Sequence, residues 1–112
     1  MKRFSYAFHG MLVLIRKDHK FSLHLLLALI VIIAGFTFKI NETEWLFIII
    51  SIGLVLAFEA INTAVEYVVD LVTSDYHVLA KKAKDVAAFS VVLASLIALV
   101  IGLIIFLPYV FK

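Results

Sequence analysis

The sequence predicts an all-α integral membrane protein, with an N-terminal interfacial amphipathic helix followed by three transmembrane helices. Three observations predict it. Hydrophobic residues make up 65% of the 112 positions, and a mean hydropathy of +1.17 lies well above that of a soluble globular domain. The apolar residues gather into three long runs separated by short polar stretches, the pattern of a chain that crosses a bilayer repeatedly. Most cationic residues fall before the first run or between the second and third, so those stretches share the cytoplasmic side.

Residues 1–20 place Phe4, Phe8, Met11, Leu12 and Ile15 at helical spacing, with Lys2, Arg3, Arg16, Lys17 and Lys20 towards the two ends. This is the pattern of a short helix lying in the membrane surface. Met1-Lys2-Arg3 could open a signal peptide, but the long apolar run begins only near Phe21 and no small-x-small site follows it cleanly. The N-terminus is therefore expected in the mature protein.

Residues 22–38 supply about 17 mostly apolar residues, at the short end of what spans a bilayer, and form the first predicted span. His24 sits at its entrance and reads as an interfacial histidine. The polar run 39–44 is a turn, and Trp45 marks the interface where the chain re-enters. The apolar stretch from Trp45 to Phe58 is only about 14 residues long, so its helix must continue through Glu59, giving a second span over 45–71 with a cytoplasmic extension.

Residues 74–85 form a cytoplasmic connection, with Thr73, Ser74 and Asp75 as candidate caps for a second short helix. The third span covers 86–107, where Ser90, Ala94, Ala98 and Gly102 recur every fourth residue as a ridge that lets helices approach closely. With no repeat or linker, the chain reads as one membrane domain over 1–112.

On the second predicted helix, Glu59, Asn62, Glu66 and Asp70 lie at i, i+3, i+7 and i+11, which confines them to an arc of roughly 80°. A carboxylate near the bilayer costs a few kcal/mol unless it faces water, a partner or the bundle interior. Three readings account for such a stripe: a structural hydrogen-bond network, a proton or cation pathway in a transporter, or a metal and phosphate site. The last is favoured because Lys81, Lys82, Lys84, Asp85 and Asp18 return to the same side of the membrane. Magnesium commonly takes one or two carboxylates and leaves its other positions to water and phosphate oxygens, while a lysine offsets phosphate charge.

No P-loop, GxGxxG turn, soluble-kinase motif or HExxH pair is present, there is no cysteine, and His9, His19, His24 and His77 form no ligand-like pair. The net charge of +2 gives no argument for nucleic acid.

The stretch Glu59-Ala-Ile-Asn-Thr-Ala-Val-Glu66, with Val-Val-Asp70, Ser74-Asp-Tyr-His77 and Ala83-Lys-Asp85 after it, resembles the small prokaryotic diacylglycerol kinase and undecaprenol kinase family. Tyr6-Ala-Phe8-His-Gly10 and the three apolar runs extend the resemblance over nearly the whole chain. It implies a homotrimer of three-span subunits in the bacterial cytoplasmic membrane, with the N-terminus cytoplasmic, phosphorylating a membrane lipid alcohol from ATP and Mg²⁺. It further implies Glu59 as general base and Glu66 as a metal ligand, shared with Asp18, which stands where the family usually has glutamate. Asn62, Lys84 and Asp85 would lie at the nucleotide, with Tyr6, Asp75, Tyr76 and His77 nearby. Phe21-Ser-Leu-His24 and Glu44-Trp45-Leu46 are more similar to the Gram-positive branch, which favours undecaprenol over diacylglycerol as acceptor.

Overall fold

The computed structural model describes residues 2–111. Met1, which opens the predicted surface helix, and Lys112, the isolated C-terminal cation, lie outside them. The described chain forms four helices: α1 (Lys2–Lys17), α2 (His19–Phe38), α3 (Glu42–Val72) and α4 (Val78–Val110). The last three are long and apolar enough to cross a membrane. This is a multi-pass membrane protein.

The predicted elements are present; α1 ends at Lys17 rather than at residue 20, α4 runs on to Val110 rather than 107, and three further edges move. Asp18 separates α1 from α2 in an extended conformation and caps α2, so that helix starts at His19 rather than at residue 22. Aspartate suits this position because its short carboxylate reaches the free N–H groups of the next turn. The second edge is the 39–44 turn, which shortens to 39–41. Asn41 forms a reciprocal capping box with Glu44, so Glu42 and Glu44 belong to the first turn of α3. The third is the connection between α3 and α4, which contracts to residues 73–77. His77, not Thr73, Ser74 or Asp75, caps α4 through Nδ1, which accepts the Leu79 N–H at 3.1 Å. No glycine or proline interrupts residues 78–86, and Lys81 pairs with Asp85 one turn on, so the expected short helix merges with the third span.

The hairpin between α2 and α3 closes tightly. Lys39 takes the left-handed conformation (φ 55°), and the Ile40 N–H bonds back to the Gly35 carbonyl at 3.1 Å. Gly35 is required by the close approach of Trp45, whose Cη2 would lie 2.7 Å from any Cβ placed there. Ile40, Ile48 and Ile105 are buried at this end, with Phe38, Trp45, Phe106 and Tyr109 packed around them. Tyr109 donates to Glu44 Oε1 at 2.6 Å, tying the end of α4 to the start of α3.

α3 packs chiefly on α4. Ala94 is buried, and Ser90, Ala98 and Gly102 are partly covered on the same side, as the small-residue ridge predicts. At 1.5 Å per residue the 31 residues of α3 reach about 46 Å, beyond the roughly 30 Å hydrocarbon core. One end of α3 must therefore leave the apolar layer, and its sequence says which: the half carrying Glu59, Asn62, Glu66 and Asp70.

Candidate active site

Glu59 is the most deeply buried carboxylate, with 1% of its surface exposed. Two helices surround it. From α2, His24 Nε2 lies 3.9 Å from Glu59 Oε1; from the next turn of α3, Thr63 Oγ1 lies 3.3 Å from Glu59 Oε2. Thr63 also donates to Asp18 Oδ2 at 2.5 Å. Asp18 completes its role as helix cap with Oδ1, which accepts the Lys20 N–H at 3.0 Å and the Phe21 N–H at 3.2 Å. Partial burial opposes ionisation of Asp18, but the Thr63 hydroxyl, the neighbouring Glu59 carboxyl and the two N–H groups outweigh it and hold its carboxyl below the usual range.

One turn beyond Glu59, Asn62 is 3% exposed. Its Nδ2 meets Glu66 Oε1 at 3.5 Å, a long contact, while its Oδ1 is buried with no hydrogen-bond partner among the described residues. A buried carbonyl oxygen left unpaired costs free energy until a donor or cation reaches it. Further along α3, Asp70 Oδ1 accepts from Lys84 Nζ at 2.8 Å, which draws the start of α4 to the same end.

The predicted site residues thus divide into two groups. Asp18 and Glu59 meet through Thr63, Asn62 meets Glu66, and Lys84 is held by Asp70. Among the described residues, Tyr6, Asp75, Tyr76 and Asp85 have no hydrogen bond to Glu59, Asp18 or Glu66. Tyr6 and Tyr76 are 69% and 79% exposed, Asp85 pairs with Lys81 at 2.6 Å, and His77 is engaged in capping. The sequence reading missed Thr63 and placed His24 merely at the interface. Thr63 lies four residues from Glu59 on one helix face, which is a signal, but its second partner lies in another helix.

Among the described residues no group of three or more His, Cys, Asp or Glu side chains could hold a metal alone. The donors present, single carboxylates with the unpaired Asn62 oxygen beside one of them, suit instead a hard cation that brings most of its own oxygen ligands.

Between α1 and α3 runs a groove of about 590 Å³, lined by Gly10, Met11, Phe21, Leu56, Ala60 and Thr63 among others. It is almost wholly apolar except where Thr63 brings it to the carboxylates.

Comparison with known proteins shows the family. The family model for prokaryotic diacylglycerol kinase matches residues 5–106. The chain is 41% identical over 107 residues to the undecaprenol kinase of Bacillus subtilis, covering 96% of this chain and 87% of that protein. It is 36% identical over 106 residues to a diacylglycerol kinase of Synechocystis, covering 94% of this chain and 61% of the relative. It is also 36% identical over 91 residues to the diacylglycerol kinase of Haemophilus influenzae, covering 80% and 75%. These relatives are lipid kinases, and nothing supports the transporter reading. With a buried carboxylate beside Thr63, which lines the apolar groove, and a family match across nearly its whole length, the chain belongs to the prokaryotic diacylglycerol kinase family.

Proposed function

We propose that this protein phosphorylates undecaprenol from ATP at the cytoplasmic face of the bacterial cell membrane. The observation that carries the reading is Glu59, buried and 3.3 Å from Thr63, the hydroxyl that lines the apolar groove. A long isoprenoid tail lies along that groove and presents its terminal hydroxyl to the carboxylate.

In the reaction the lipid oxygen forms a bond to the γ-phosphorus, the bond to the β–γ bridging oxygen breaks, and ADP leaves. Glu59 accepts the hydroxyl proton as attack proceeds. Lys84 has three N–H donors, of which Asp70 takes one, leaving two for phosphate oxygens. Glu66 and Asp18, with Asn62 beside them, would hold Mg²⁺ carried in with the nucleotide, and the ion would offset charge on the phosphates. Tyr6, Asp75, Tyr76, His77 and Asp85 border the nucleotide. Because several of these are distant from Glu59 in hydrogen-bonding terms, the site is completed by neighbouring copies in a homotrimer, whose contacts also cover part of the exposed apolar helix faces. The N-terminus lies on the cytoplasmic side, as the lysines and arginines of residues 2–20 and 81–84 favour.

A second reading takes diacylglycerol as acceptor, and relatives from Synechocystis and Haemophilus influenzae carry that name. An assay with both lipids in the same mixed micelles separates the two through the ratio of kcat/KM values. The undecaprenol reading expects a ratio above one in favour of undecaprenol; a ratio in favour of diacylglycerol overturns it.

A further inference from the structure

We infer that Thr63 is a positioning residue that fixes Asp18 across the joint between α1 and α2 while leaving Glu59 free to accept a proton. This inference rests on the kinase reading above. A hydroxyl carries a single proton. Thr63 Oγ1 lies 2.5 Å from Asp18 Oδ2 and 3.3 Å from Glu59 Oε2, and at these separations the proton belongs to the Asp18 bond, which has the length of a strong charge-assisted contact.

Two consequences follow. Asp18 is held at both oxygens, Oδ1 by the N–H groups of Lys20 and Phe21 and Oδ2 by Thr63, so its carboxylate plane is set by α2 and α3 together. Glu59 Oε2, at 3.3 Å, has the weaker claim on the Thr63 proton, so Thr63 leaves its lone pairs largely to the acceptor hydroxyl. Thr63 is itself buried on the groove lining, so its effect comes through the two carboxylates it joins.

The test compares Thr63→Val, which keeps the shape and removes the donor, with Thr63→Ser, which keeps the donor. Thr63→Val should lose about tenfold or more in kcat and raise the Mg²⁺ concentration for half-maximal rate, while Thr63→Ser returns to within about threefold of the parent. A second readout needs neither metal nor turnover: thermal unfolding of the apoprotein in micelles. There, Thr63→Val and Asp18→Ala should be non-additive, since each removes the same bond. Thr63→Ala gives the same comparison if valine does not assemble. Additive unfolding shifts, or a Thr63→Val enzyme with the parent's rate and Mg²⁺ dependence, overturn the assignment. A parent protein that phosphorylates no lipid overturns the kinase reading itself, and the unfolding cycle still decides whether Thr63 anchors Asp18.

Discussion

Where α2 turns into α3 the chain closes around an apolar cluster of Ile40, Ile48 and Ile105, sealed by Trp45 on Gly35 and by the Tyr109–Glu44 bond. Where α1 meets α2 it closes around Asp18, Thr63 and Glu59, with Asn62 Oδ1 left unpaired nearby. The first end satisfies its polar groups with the chain's own partners. The second keeps a buried carboxylate and an unpaired oxygen, an arrangement that lowers stability and is retained where chemistry needs it. One pair of helices thus carries an anchor at one end and a reactive site at the other.

Substitutions at the two ends should separate into effects on rate and effects on stability. The largest effect is expected from Glu59→Gln, which removes the proton acceptor and should lower kcat by roughly a thousandfold, within the span of general-base contributions. Size-exclusion in detergent should show its assembly unchanged; parent-like turnover would remove Glu59 as base. Next is Asp18. Asparagine caps helices well and alanine does not, so Asp18→Asn should lose about tenfold or more in rate with little loss of stability. Asp18→Ala should add about 1 kcal/mol of destabilisation on top. Equal unfolding midpoints for the two variants would show that the cap does not matter.

At the anchored end, Gly35→Ala forces a Cβ towards Trp45 and should destabilise the fold by about 1–3 kcal/mol, with turnover per folded protein within about twofold. Tyr109→Phe removes the donor to Glu44 and should lower the unfolding midpoint, again without changing kcat. A large kcat loss in either variant would erase the distinction between the ends.

The smallest effect is on acid stability. The folded-state value of Asp18 lies below its ordinary 3.8, so its contribution is complete above the unfolded-state value and disappears as pH falls through the lower folded one. Unfolding midpoints of the parent and Asp18→Asn should therefore converge in acid and differ by a constant amount near neutrality. A gap that changes between pH 6 and 8 would contradict this sign.

The sequence made the anchored end legible as fold and the reactive end legible as residue types. Span lengths, Trp45 and the distribution of lysines predict three crossings because the bilayer imposes length and polarity on any helix within it. Glu59, Asn62, Glu66 and Asp70 stand out because charge is costly on an apolar helix. Thr63 does not, since a lone hydroxyl is ordinary in such a helix and its partner Asp18 is 45 residues away in sequence. The Tyr109–Glu44 bond spans 65 residues and was invisible for the same reason. The start of α4 is not legible in the sequence, because polarity alone marks where the membrane ends, not where the helix does. His24 reads as interfacial until α2 and α3 are placed side by side.

The kinase reading has the polar end transfer phosphate to a lipid alcohol. Its most direct test is the initial rate at which purified protein in mixed micelles moves labelled γ-phosphate from MgATP to undecaprenol. Labelled undecaprenyl phosphate should accumulate in proportion to enzyme and cease in Glu59→Gln. ATP turnover with no labelled lipid, or no turnover with either undecaprenol or diacylglycerol present, would contradict it.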